Sequence, residues 1–228
     1  MLIDDYAAEL RRALSGPYGP KRDLVVEARH SLLDCAEAYQ AQGLRRTEAE
    51  RRAVEEFGPV RDVAPGYQEE LTASAGRRLG LLLFVSVPAT VLAWGLIWSF
   101  QPAETWVAAD RPEWFTTASR LLDVVQLAFG LYGGLALLAL SRPARWIPRP
   151  RLVTRSLGLS VWLLLPLNTL LGLLISHASQ LPASTLSSTP VVLANVLTYA
   201  FAGTQLYCAT RCVMLSRKAW PPAAARSR

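Results

Sequence analysis

Acidic side chains almost disappear after residue 78. Residues 79–228 hold only Glu104, Asp110, Glu113 and Asp123, whereas residues 1–78 hold 14 of the 18 Asp and Glu. The C-terminal two thirds therefore lacks the paired acids of a carboxylate-based hydrolase or an acid-lined ion path. Histidine is limited to His30 and His177, and cysteine to Cys35, Cys208 and Cys212. That excludes a disulfide framework and any ordinary zinc-ligand spacing. No glycine-rich phosphate loop and no nucleophile–base pair occurs, so no catalytic residue, metal or cofactor is assigned and an enzyme is not expected. Lysine is nearly absent as well: 22 of the 24 basic residues are Arg, the others being Lys21 and Lys218. With abundant Ala, Leu and Gly, this is the composition of a GC-rich bacterial genome. Residues 1–20 carry Asp4, Asp5, Glu9, Arg11 and Arg12 and no continuous apolar core. No cleavable signal is expected there, and the first apolar run should act as an uncleaved anchor.

What is abundant is apolar sequence in long runs. Leu79–Phe100, Leu121–Leu140, Leu157–Ser176 and Val191–Leu215 are each about the ~20 residues needed to cross a bilayer core. Four such runs in succession argue against buried helices of a soluble domain. The expected fold is all-α: a helical head over residues 1–72, a connector over 73–78, a four-span transmembrane bundle over 79–216 and a tail over 217–228.

Charge placement orients the bundle. The head is slightly acidic, and the net charge of +6 comes from the remainder. Arg77 and Arg78 precede the first run. Arg142, Arg145, Arg149, Arg151 and Arg155 lie between the second and third with no acid among them, and Arg217, Lys218, Arg226 and Arg228 follow the fourth. Basic residues stay on the cytoplasmic side, so both termini and the middle loop should be cytoplasmic, in the inner membrane of a bacterium. Trp106 and Trp114 suit the outer interface, and Trp146 and Trp220 the inner one. The five loop arginines also suit contact with lipid headgroups. The basic excess sits at membrane edges, and the basic residues of the head are interleaved with acids, so direct nucleic-acid binding is not expected.

Polar side chains inside the runs are the functional candidates, because each is costly in hydrocarbon. They are Asp123, Gln126, Asn168, Asn195 and Gln205. Their structural readings are an interfacial ion pair of Asp123 with Arg120 and interhelical hydrogen bonds for the amides. Asn168 could also bond a carbonyl freed by Pro166; Pro166 and Pro88 should bend their helices. Gly130 with Gly134, and Ala89 with Ala93, offer close-packing faces. Cys208 and Cys212, one turn apart, read best as small packing residues.

The head reads as short amphipathic helices. Ile3, Tyr6, Leu10 and Leu14 form one stripe; Leu24, Ala28, Leu32, Cys35 and Tyr39 a second; Ala49, Ala53, Val54 and Phe57 a third. Thr47 with Glu50 is a capping box that should start the third helix. Pro65-Gly66 should kink or split the fourth, whose stripe is Val60, Val63, Ala64, Tyr67 and Leu71. Tyr6, Leu10, Leu32, Tyr39, Phe57 and Tyr67 are the residues expected to form the core or a partner surface. A core this small is near the limit of independent folding, so leftover surface should rest on the membrane, on a second copy in a dimer, or on a protein partner.

The opening IDDYAAELRRAL, the segment ARHSLLDCAEAY and the stretch GLRRTEAERRAVEEFGPVRDVAPGY, followed by an apolar run, resemble the permease prefix domain, also called the HAAS domain (PadR-associated α-helical signalling). The resemblance covers about residues 1–72 and carries no catalytic residues. It implies a regulatory or signalling role at the bacterial membrane, with a PadR-type transcription regulator or a permease as partner. The leading expectation is a membrane-anchored adaptor; the alternative is an accessory subunit of a transporter.

Overall fold

The computed structural model describes residues 2–100, 113–141, 150–178 and 187–217. It is all-α, with seven helices among the described residues: α1 Leu2–Ala13, α2 Tyr18–Ala41, α3 Arg46–Phe57, α4 Val60–Ser99, α5 Trp114–Ser141, α6 Pro150–Ala178 and α7 Thr189–Arg217. The described residues fall into two compact units, one made of residues 2–74 with 214–217 and the other of those between 75 and 213.

The first unit is built on the stripes that the sequence lays out. Ile3, Tyr6, Leu10 and Leu14 are buried, and Asp4, Asp5, Arg11 and Arg12 match the helix dipole at the two ends of α1. They meet Val25, Ala28, Leu32 and Ala36 of α2, Ala49 and Ala53 of α3, and Val60, Ala64 and Leu71 of α4. Alanine at the contact positions lets the helix axes approach closely. Of the six residues picked for this core, Tyr6, Leu10 and Leu32 are buried, while Tyr39, Phe57 and Tyr67 pack half-buried at its margin. The edge of the Tyr6 ring meets Phe57 at 5.8 Å and 86°. Gly58 ends α3 at φ 89°, a left-handed conformation that side chains disfavour, and its carbonyl accepts a 2.9 Å hydrogen bond from the Tyr6 hydroxyl. Burial, then the nearby Tyr67 and Glu9, push the Tyr6 phenol up to about 12.

Side-chain hydrogen bonds join these helices. Tyr39 donates to Glu56 Oε2 at 2.6 Å, and the Cys35 thiol reaches the same oxygen at 3.5 Å. The bond from Tyr39, then that from Cys35, lowers the Glu56 carboxyl from its ordinary range. Gln68 is fully buried: its Oε1 accepts from Ser15 N and its Nε2 donates to Ser15 O, both at 2.9 Å. One side chain thus satisfies both backbone groups of a residue in the α1–α2 connection.

Two local expectations fail here. The capping box does not form. Arg45 is the N-cap and makes no side-chain cap bond, so Thr47 already lies within the helix, where its hydroxyl cannot cap. Glu50 turns to Arg46 Nε at 3.3 Å instead. Nor do Pro65 and Gly66 split the fourth helix: α4 is continuous for 40 residues. Pro65 lies in its second turn, where the missing amide costs one bond. Ala64, Gln68 and Leu71, buried on either side of it, hold the helical path.

The second unit is inverted relative to a water-soluble bundle. The four long helices α4 to α7 are long and apolar enough to span a membrane, the architecture of a multi-pass membrane protein. Their outward faces carry leucine: Leu92 is 65% exposed, Leu163 71% and Leu193 63%. Apolar surface on this scale suits lipid contact rather than water. Trp114, expected at an interface, is the exposed first residue of α5.

Candidate functional site

The four long helices pack tightly at one end and part at the other. In the tight half, glycine allows contact that any Cβ would prevent. A Cβ on Gly80 would stand 2.7 Å from the Gly133 carbonyl oxygen, and one on Gly133 would stand 2.7 Å from Leu83 Cβ. Gly158 lies equally close to α7, with 3.0 Å from its Cβ position to the Ala209 carbonyl oxygen. Leu79, Leu83, Ala136, Leu157, Val161, Ala209 and Cys212 fill this half. Gly130 and Gly134, expected to pack closely, do face α4 through Val87 and Phe84, and Cys212 is buried at the α6–α7 contact.

In the other half the helices enclose a cavity of about 670 Å³, walled by the C-terminal half of α4, the N-terminal half of α5, the C-terminal half of α6 and the N-terminal half of α7. Glycines here have room: a Cβ on Gly95 or Gly172 would meet nothing within 4 Å. All five polar residues singled out from the sequence line this cavity: Asp123 and Gln126 from α5, Asn168 from α6, and Asn195 and Gln205 from α7. Residues that are far apart in sequence thus share one space.

Their bonding differs from expectation. Gln205 alone makes the interhelical bond, donating from Nε2 to Ser86 Oγ at 2.8 Å, while Ser86 donates to the Leu82 carbonyl. Asn195 bonds its own helix at Val191 O, 3.1 Å. Gln126 and Asn168 make no hydrogen bond among the described residues. Asp123 likewise has no ion pair there, with Arg120 or any other cation. Helix α5 starts at Trp114, seven residues before the apolar run, so Asp123 lies ~14 Å along it rather than at its mouth. Phe115, Ser119, Leu122, Asp123, Gln126 and Phe129 recur at spacings of three and four and make one cavity-facing stripe from which Arg120 is absent.

The aromatic wall is the part that the sequence reading missed. Trp94 and Trp98 stack with ring centroids 5.6 Å apart, and Trp94 Nε1 donates to Thr198 Oγ1 at 3.1 Å, tying α4 to α7. The signal existed: Val87, Thr90, Val91, Trp94 and Trp98 keep helical spacing along one face of the first run. Arg211, a charge inside the fourth run, also went unremarked; its guanidinium lies 4.9 Å over the Tyr207 ring.

Other candidates lie elsewhere. Arg151 is half-buried and Arg155 exposed on α6, and neither lines the cavity; Arg142, Arg145 and Arg149 fall outside the described residues. Trp106, Trp146 and Trp220 fall outside them too. His177 is exposed and is not part of the lining. Among the described residues no cluster of His, Cys, Asp and Glu could hold a metal ion. Compared with known proteins, the chain matches no family model, no curated protein and no solved structure.

Proposed function

We propose that the chain is a membrane-anchored regulatory adaptor in the bacterial inner membrane. Its helical head binds a cytoplasmic partner, a PadR-type transcription regulator, and its bundle receives the input. The observation that carries this reading is α4. It supplies Val60, Ala64 and Leu71 to the core of the head and Leu79 and Leu83 to that of the bundle, with no helical break between them. A change in the bundle therefore has an unbroken helix, through Ser74–Arg78, along which to bias the head between two states. The HAAS-like stretches of residues 1–72 support the signalling role. Arg77, Arg78 and the five arginines between the second and third spans support cytoplasmic placement of the head, the middle loop and the tail. In that orientation the residues that line the cavity belong to the outer halves of the four spans.

The test is crosslinking in intact membranes, then capture of the tagged full chain and mass spectrometry. The adaptor reading expects a DNA-binding regulator that is captured by the full chain and lost when residues 1–59 are removed, a deletion that spares α4. An unchanged set of partners refutes it. Retrieval of a permease or transport ATPase instead would support the accessory-subunit alternative, for which the leucine-covered outer face of the bundle offers a docking surface.

A further inference from the structure

Among the described residues the cavity lining carries one formal charge and nothing that balances it: Asp123 is the sole acid, and no Lys, Arg or His joins it there. A carboxylate held in an apolar, half-enclosed space is costly unless a positive charge accompanies it. The protein supplies none among the described residues. The remaining walls suit a bulky cation rather than a metal ion. A hard divalent metal is held by several oxygen ligands, usually more than one of them a carboxylate, whereas here Asp123 is the single carboxylate among the described lining residues and most of that lining is aromatic and aliphatic. The stacked Trp94 and Trp98 offer ring faces to a positive charge. Gln126 and Asn168, unbonded among the described residues, offer carbonyl acceptors to an N–H donor. A volume of about 670 Å³ lies within the range of sites for drug-sized molecules.

We infer that this cavity binds a bulky, weakly hydrated organic cation, an amine or quaternary ammonium with apolar substituents, with Asp123 as counter-charge and the Trp94–Trp98 pair as the aromatic wall. The inference names the input that the adaptor reading requires, yet binding is measured without reference to any partner, so either can fail alone. Anionic lipid headgroups are excluded by the same charge. Two sources share the required chemistry: a free organic cation, and the quaternary ammonium of a choline headgroup.

Tetraphenylphosphonium is the probe, with tetraphenylborate as a control of the same shape and opposite charge. The full-length chain is placed in phosphatidylglycerol nanodiscs, which lack any ammonium headgroup, and binding to empty discs is subtracted. The expected result is saturable binding of one phosphonium per chain, no competition by the borate, and at least tenfold weaker binding for Asp123→Asn. Gly172→Phe, which fills open cavity space while keeping the carboxylate, should abolish binding. Should Asp123→Asn fold poorly by elution profile and helicity, the phosphonium–borate comparison and Gly172→Phe decide the matter. Competition by added phosphatidylcholine would identify the headgroup as the source, and its absence a free cation. No saturable binding to the wild type, equal binding of the two probe ions, or an affinity for a well-folded Asp123→Asn within twofold of wild type overturns the inference.

Discussion

Replacing Gly80 by alanine probes the tight half of the bundle, and replacing Gly172 by alanine provides the reference. Both glycines lie inside helices, so each substitution gains roughly the same propensity term, about 1 kcal/mol on scales measured in water. The surroundings differ. The new Cβ at position 80 would stand 2.7 Å from a backbone carbonyl oxygen on α5, which cannot swing aside as a side-chain tip can; at position 172 it meets nothing within 4 Å. Forcing extra volume into a close-packed contact costs about 1–3 kcal/mol. Because the propensity gain cancels between the variants, that cost is the difference between them. For a chain of this size, ~1 kcal/mol moves the unfolding midpoint by about 2–4 °C, so Gly80→Ala should melt at least ~2 °C below Gly172→Ala. The assay is thermal unfolding in mild detergent, followed by circular dichroism and by loss of the monodisperse peak. Midpoints that coincide would refute the close approach of α4 and α5, and with it the floor of the cavity.

Other predictions concern the head. Gln68→Leu removes both hydrogen bonds to the Ser15 backbone; at about 0.5–1.5 kcal/mol for each, a loss of roughly 2 kcal/mol is expected. Hydrogen exchange in the full chain should accelerate first around residues 14–18; unchanged protection there would refute a stabilising role for the two Gln68–Ser15 bonds. Stability of the head should also fall as pH rises from 10 toward about 12. An unfolded tyrosine releases its proton near 10, while the folded Tyr6 holds it to about 12, so the folded state binds more protons across that window and loses stability through it. Tyr6→Phe should remove this part of the alkaline loss, read as a flatter profile of unfolding midpoint against pH.

Much of the architecture was legible because its causes are local or compositional. Runs of about twenty apolar residues mark spans, since every backbone polar group in hydrocarbon must be satisfied within a helix. Asp123, Gln126, Asn168, Asn195 and Gln205 were recognisable one at a time, since each is costly where it stands. Helix limits were less legible. Trp114 to Arg120 are helical although Thr116, Thr117, Ser119 and Arg120 interrupt the apolar sequence there, and missing those turns placed Asp123 at the mouth of its span. The capping box and the Pro65-Gly66 break failed for a related reason. Thr47, Glu50 and Pro65 carry weak local preferences, and packing through Ala49, Ala64, Gln68 and Leu71 outweighs them.

By itself, the sequence determined that this is a helical head followed by four membrane-length helices, because hydropathy and periodicity depend only on neighbours along the chain. Which faces meet was decided only by the tertiary structure. Gly80 and Gly172 look alike in sequence, yet one touches the backbone of another helix and the other borders open space. The convergence of one carboxylate, four amides and two tryptophans belongs to the rotation of each helix about its axis, which contacts between distant segments set and no local pattern records.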